Sequence, residues 1–419
     1  MVILILKIYI AFEIFVMLIY TLRHFIFTIN RVVGEQRMYY QDIIDTDLPT
    51  VSILIPMHNE EKVVTHILDL LISSSYPEEK LEIIPINDHS TDRTNEIIDE
   101  YATRHPHIKP LHRTSGKRGK PYGLNDALKE AKGDVVIVFD ADYLPPKGII
   151  RDIAVSFKDP QVGAVMGRVV PVNTPRNLLT RLLDLERAGG YQIDQQARHN
   201  FKLIPQFGGT VGGFRKDVVI YLGGFDPRIL TEDTELTFKL FIRGWKVAYA
   251  NRVECYEEVP EDWNVRARQI NRWARGHTQV MLNYLFSLLK SPHLSFIEKI
   301  DGVLLLCIYS VPLIILIGLL DSIALFFLGE MQLIESLFIF LLVAAYNSFG
   351  NFAPFYQIGT ATFLDGTNDR VKLLPLVLFS FIFNIFYVSK GFLEAIIDQV
   401  SKRDTEWEKT ERYRQQGVS

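Results

Sequence analysis

The chain has 419 residues, 48% of them hydrophobic, and a formal net charge of −4. Its mean hydropathy is slightly positive, higher than a soluble protein needs, while the weak charge and the lack of a basic stripe with interleaved aromatics exclude nucleic acid as a partner. Cys255 and Cys307 are the two cysteines; far apart in sequence, they exclude a disulfide framework and agree with a reduced compartment.

In chain order, Val2 to Thr28 is almost wholly apolar and meets the roughly 20 residues needed to cross a bilayer. It lacks the basic start and the Ala-x-Ala-like exit of a secretory signal, so it reads as a retained anchor. Lys7 and Glu13 interrupt it at a spacing that puts them on different faces. Lys7 is expected to snorkel to a headgroup and Glu13 to face a neighbouring helix. Arg23, His24, Arg31 and Arg37 follow, and Lys290 and Lys299 precede the next apolar run. By the positive-inside rule, the segment between lies in the cytoplasm and the acidic loop Gly329 to Glu335 lies outside.

Residues 50 to 290 have globular composition and open as an α/β unit. Val51 to Pro56 is a short buried strand, Val63 to Leu71 a helix, Leu81 to Ile86 a second strand ending at Asn87-Asp88, and Ser90-Thr-Asp92 caps a helix through Glu100. This order predicts a doubly wound sheet that binds ligands at the carboxyl ends of its strands, where Glu60 and Asp88 stand. Asp92 reads as a first-turn helix residue and His58 as packing. Gly116 to Asn125 is a Gly- and Lys-rich loop without the Gly-Lys-Ser/Thr of a Walker motif; a helix ending near Gly133 follows it. Val135 to Phe139 is the next buried strand, and Asp140-Ala-Asp142 emerges at its end. Two carboxylates there suit Mg²⁺ or Mn²⁺, whereas no Cys/His cluster has zinc spacing.

Val162 to Val165 and Arg168 to Val170 continue the sheet, and Leu178 to Tyr191 reads as one amphipathic helix. The Gly-rich stretch Phe207 to Phe214 permits close backbone approach. Thr231-Glu-Asp233 begins a helix through Arg243, where a carboxylate is also a good cap. A helix from about Asn264 to Leu289 carries Gln269, Arg272 and Trp273 at i, i+3 and i+4, hence on one face, with Arg266, Arg268 and Arg275 close by. Such a basic helix also suits a headgroup-facing surface. Val303 to Leu328, Leu333 to Ala344 with its extension to Ile358, and Leu373 to Ile397 are further apolar runs.

Asp140-Ala-Asp142, Leu230-Thr-Glu-Asp233 and Gln269-Ile-Asn-Arg-Trp273, in this order between membrane runs, resemble the membrane-bound family 2 glycosyltransferases that build cellulose, hyaluronan and chitin. Arg272-Trp-Ala-Arg-Gly276 is close to the bacterial cellulose synthases, and Trp407 to Arg412 is similar to the tail of hyaluronan-type enzymes. The resemblance implies a GT-A-type doubly wound domain inserted between transmembrane helices. Its boundaries would be an anchor at 1–30, a cytoplasmic glycosyltransferase domain at 48–260, interface helices at 261–300, a transmembrane region of about three spans at 301–398 and a tail at 399–419. Three such spans place the tail outside. A cytoplasmic tail, the side preferred, needs an extra or re-entrant piece within Tyr346 to Phe363, or a kink at Pro375.

The resemblance also implies a UDP-sugar donor, UDP-glucose or UDP-N-acetylglucosamine, and Mg²⁺ or Mn²⁺. Glu60 and Asp88 would contact uridine, Asp140 the ribose, Lys120 the donor phosphates or sugar, Arg272 the diphosphate, and Asp142 the metal. Asp233 would be the general base, and Gly208 to Gly213, Gly209 and Thr210 above all, would hold the acceptor with Glu232, Gln269 and Trp273. The expected function is a processive, inverting synthase that translocates a β-linked polysaccharide across the cell membrane. The alternatives are a single-transfer glycosyltransferase acting on a membrane lipid and, from another class, a transporter or scaffold.

Overall fold

A computed structural model of the chain describes residues 1–37, 47–330 and 352–401. One sheet organises them: β1 (Val51–Met57), β2 (Leu81–Asp88), β3 (Leu111–Arg113), β4 (Val135–Val138), β5 (Val162–Pro171), β6 (Gly212–Arg215) and β7 (Lys246–Glu257). The strand order is β3-β2-β1-β4-β6-β5-β7, with β6 antiparallel to both neighbours and the other pairs parallel. The helices are α1 (Val2–Val33), α2 (Val64–Ile72), α3 (Thr94–Arg104), α4 (Lys120–Glu130), α5 (Ile149–Val155), α6 (Leu178–Ala188) and α7 (Gln196–Asn200). After them come α8 (Lys216–Tyr221), α9 (Glu232–Ile242), α10 (Trp263–Lys290), α11 (Phe296–Cys307), α12 (Val311–Phe327), α13 (352–364) and α14 (Leu374–Ser401).

The central strands β1 and β4 are almost wholly apolar because both faces are covered. Ile53, Ile55, Val135 and Ile137 pack on one side with Ile67 and Ile98 of α2 and α3. Leu54, Val136 and Val138 pack on the other with Leu124 of α4, Leu236 of α9 and Val280 of α10. This is the GT-A-type doubly wound fold. The chain winds outward through β1, β2 and β3 and returns to β4 on the far side of β1, which opens a crevice at the carboxyl ends of β1 and β4.

Three sequence expectations change. The helix expected over Leu178 to Tyr191 stops at Ala188 and continues as a π-helical turn, Gly189–Gln195, a form that often marks functional sites. Val162 to Val170 is a single strand whose pairing with β7 slips between Gly167 and Arg168, a bulge. Gly212 and Gly213 lie inside β6, hydrogen-bonded between β4 and β5. They are therefore sheet residues where a loop was expected, whereas Gly208 and Thr210 of the same stretch line a cavity.

Three helical stretches, Val2–Val33, Phe296–Phe327 and Asn368–Ser401, are long and apolar enough to cross a membrane. Leu333 to Ala344 and Trp407 to Arg412 lie outside the described residues. Pro375 sits in the first turn of α14, where its missing N–H costs no helical hydrogen bond, so it gives no kink in the last run. α13 is docked on the soluble domain: Ala353, Ile358 and Ala361 are buried, Phe352 and Phe363 exposed, and Gln357 Nε2 donates to Gly189 O at 3.1 Å.

α1 runs antiparallel to α11 and α12, with the Tyr9 and Tyr20 hydroxyls donating to Ile314 O and Leu304 O. Lys7 pairs with Glu330 at 2.9 Å where a headgroup was expected. Glu13 does face a neighbouring helix; its carboxyl fills the space a side chain at Gly318 of α12 would need. Arg23 and Arg31 dock α1 onto the π-helical turn, through Asp194 at 2.9 Å and Gln192 O at 2.9 Å.

Candidate active site

The turn after β4 carries Asp140 and Asp142. The Asp140 amide donates to Thr210 Oγ1 at 3.1 Å, and its carboxylate accepts from Lys120 Nζ at 2.8 Å. Lys120 begins α4, and the same ammonium donates to Gly209 O at 3.1 Å and lies 3.5 Å from Glu232. Burial opposes its charge, but the carboxylates of Asp140, Glu232 and Asp233 outweigh burial and hold its pKa above the usual lysine value. One cation thus ties the β4 turn, the glycine loop and the start of α9 together.

Asp233 lies in the first turn of α9, where the Thr234 amide donates to Oδ1 at 2.7 Å. Burial and the adjacent Glu232 push its pKa up to about 7, against the pull of Lys120, the Thr234 amide and Arg272. That range suits a general base at neutral pH. Gly209, at φ +72°, leaves room for it, since a Cβ there would stand 3.2 Å from Asp233 Oδ2.

α10 brings Gln269, Arg272 and Trp273 to the same place. Of its basic residues Arg266 turns inward while Arg268 is exposed: Arg266 is 2% exposed, pairs with Glu186 at 2.6 Å and donates to Gln269 Oε1 at 2.9 Å. The guanidiniums of Arg187 and Arg266 lie 5.2 and 5.4 Å from the Trp273 ring centre, cation–π distance. Farther along, Gly276 lets α10 press on the turn before α9, where a Cβ would meet Thr231 N at 2.8 Å. Gln279 Oε1 accepts from the Leu230 amide at 3.1 Å. Gly276→Ala is expected to cost roughly 1–3 kcal/mol and to slow turnover by displacing Asp233. Unchanged detergent melting and kcat would show that the contact is slack.

Lys120, Asp140, Asp142, Thr210, Glu232, Asp233, Gln269, Arg272 and Trp273 all line one cavity of about 540 Å³. Gly209 abuts it through Asp233. Glu60 and Asp88 lie outside this cavity, at the ends of β1 and β2. Asp88 is engaged by Arg113, by His89 at 2.8 Å and by the Gly119 amide at 2.7 Å, so it fixes the residue before Lys120. Glu60 is 5% exposed, and its amide donates to Thr94 Oγ1 at 2.8 Å. Among the described residues no three His, Cys, Asp or Glu side chains cluster as a metal cage. The Asp140 and Asp142 pair nevertheless fits Mg²⁺ or Mn²⁺, which commonly take one or two carboxylates and leave other positions to substrate phosphates.

A family model described as glycosyltransferase-like family 2 matches residues 49–276, the span that holds every one of these groups. The chain belongs to the family 2 glycosyltransferases. It is 30% identical over 376 residues to the probable glycosyltransferase YdaM of Bacillus subtilis, covering 88% of each chain. It is 32% identical to a β-monoglucosyldiacylglycerol synthase of Synechocystis, over 56% of this chain and 49% of that one. It is 28% identical to the poly-β-1,6-N-acetyl-D-glucosamine synthase of Staphylococcus epidermidis, over 81% and 80%.

The structure adds lining residues to this glycosyltransferase site that sequence reasoning missed. Tyr191, Asp194 and Gln195 come from the π-helical turn, Arg187 from the end of α6, and His277 from one turn beyond Trp273. The Gly189-Gly190 pair was the available signal for the turn. Leu305, Ile308 and Tyr309, from the apolar stretch Phe296–Phe327, also line the cavity.

Proposed function

We propose that this chain is a membrane-embedded, inverting glycosyltransferase of the cellulose, hyaluronan and chitin synthase type. It takes glucose or N-acetylglucosamine from the UDP-sugar and adds it repeatedly to a β-linked polysaccharide that passes into its own transmembrane helices. The observation that carries this reading is the single cavity: a donor side of Lys120, Asp140 and Asp142, an acceptor side of Asp233 and Trp273, and a wall supplied by a membrane-directed helix. The likeness to a polysaccharide synthase over four-fifths of both chains supports it. The basic residues flanking the apolar runs support a catalytic domain, about residues 48–260, on the cytoplasmic side of the cell membrane.

In this reading Asp233 takes the proton of an acceptor hydroxyl as that oxygen bonds to the anomeric carbon and the bond to the diphosphate oxygen breaks. Lys120 and Arg272 face the charge that develops on the leaving diphosphate. Glu60 and Asp88 hold or frame the uridine side, and Gly209, Thr210, Glu232 and Gln269 confine the acceptor. Mg²⁺ or Mn²⁺ held at Asp142 would neutralise phosphate oxygens.

The test is full-length protein in detergent with a panel of nucleotide-sugars, read by UDP release and product size. UDP-glucose or UDP-N-acetylglucosamine should give long polymer. A product of one sugar on a lipid would overturn processivity, and no turnover of any UDP-sugar would overturn the donor. Chelator should stop turnover, Mg²⁺ or Mn²⁺ should restore it, and Asp142→Asn should raise the metal concentration required. Full activity in chelator would remove the metal from the reaction.

A further inference from the structure

His277 is absent from the motifs that define the site, yet it lines the cavity. Its ring stacks on Tyr309 at 4.4 Å and 28°, and its Nε2 lies 3.2 Å from the Thr234 hydroxyl. That hydroxyl also accepts from Gln206 Nε2 at 2.8 Å and lies 3.4 Å from Asp233 Oδ1, to which it donates. A hydroxyl has one hydrogen and two lone pairs. With its hydrogen on Asp233 and one lone pair on Gln206, the remaining lone pair faces His277, an arrangement that puts the imidazole hydrogen on Nε2.

We propose that His277 is a positioning residue for the general base: with Gln206 it fills both lone pairs of the Thr234 hydroxyl, which leaves that hydroxyl's only hydrogen for Asp233 Oδ1. Oδ1 is then held by two donors of Thr234, the amide at 2.7 Å and the hydroxyl, while Oδ2 points toward the glycine loop at Gly209. Burial lowers the His277 pKa to about 3, so the imidazole stays neutral and its own titration does not enter the working range. The charged and titratable groups facing Asp233 are Glu232 on its own helix, Lys120 on α4, Arg272 on α10, Tyr191 on the π-helical turn and Tyr309. None of them touches the Thr234 hydroxyl among the described contacts, so the relay is separable from them. The inference rests on Asp233 being the base.

The experiment compares pH profiles of kcat/KM in the full-length enzyme for parent, His277→Phe, His277→Gln and Thr234→Val. Phe keeps a ring against Tyr309 and removes the donor, whereas Gln keeps an N–H near the Nε2 position. Losing one hydrogen bond to the ionised base raises its pKa. His277→Phe should therefore lower kcat roughly three- to ten-fold and move the acid limb to higher pH, with donor KM little changed. His277→Gln should restore both, and Thr234→Val should move the limb in the same direction even if the Phe variant folds poorly. An unmoved limb in His277→Phe and Thr234→Val, or equal losses for Phe and Gln, would reduce His277 to packing and overturn the proposal. Asp233→Asn separates the two failures: near-parental turnover there refutes the base assignment itself, whereas a loss of about 10²-fold or more beside an unmoved limb refutes only the relay.

Discussion

Asp233→Asn is expected to abolish sugar transfer while UDP-sugar binding stays within a few-fold of the parent. The Asn keeps an oxygen for the Thr234 amide that now bonds Oδ1, and Lys120 keeps Asp140 and Glu232 as counter-charges, so the fold and the donor side survive. What is lost is the proton acceptor, a contribution of about 10²- to 10⁴-fold made in the transition state. The parent should also show an acid limb in kcat/KM near pH 7, because burial and Glu232 lift Asp233 to about 7. The sign is that of a base: below this pH Asp233 is protonated and cannot accept, so rate falls as pH falls. A solvated carboxylate would place the limb near pH 4. Near-parental turnover in the Asn variant would remove Asp233 from catalysis.

The strands at the centre of the sheet could be read from the sequence because they are buried and appear as largely apolar runs, whereas β3 and the half-exposed β7 gave no such run and were missed. Val51 to Pro56, Leu81 to Ile86 and Val135 to Phe139 lie within one to two residues of their observed strands. The acidic ends of those runs could be placed for the same reason, since a strand in a doubly wound sheet delivers its carboxyl end to the crevice. Periodicity also set Gln269, Arg272 and Trp273 on one face, and all three reach the cavity.

Groups whose position depends on distant contacts could not be read. Asp88 was read as a ligand from its strand end, and the spacing gave no sign that Arg113 and the Gly119 amide, 25 and 31 residues away, also bond its oxygens. The antiparallel insertion of β6 between β4 and β5 turned Gly212 and Gly213 from loop to sheet. Arg266, read beside a membrane, is buried because Glu186, 80 residues earlier, meets it. His277 lay one turn past a motif and gave no signal, since its meaning comes from Thr234 and Tyr309.

Trp273→Ala is the second large effect expected, and polymer formation should be lost. The ring lines the cavity on the side proposed for the acceptor and also seats two guanidiniums, Arg187 and Arg266. Removing it withdraws an aromatic contact worth on the order of 1 kcal/mol to a ligand and frees Arg187, now 2.8 Å from Glu257, to shift into the space. Either change misplaces an acceptor hydroxyl that must approach the anomeric carbon to about 3 Å. Lys120, Asp140 and Asp142 do not touch the ring among the described contacts, so donor affinity, titrated without turnover, should fall by less than about tenfold. Trp273→Phe separates the two parts of the effect, because a smaller ring keeps a cation–π surface for the arginines while shortening the platform under the sugar. Retained polymer synthesis at reduced length in the Phe variant is the expected result. A Trp273→Ala enzyme that folds and polymerises at the parental rate would place the acceptor elsewhere in the cavity.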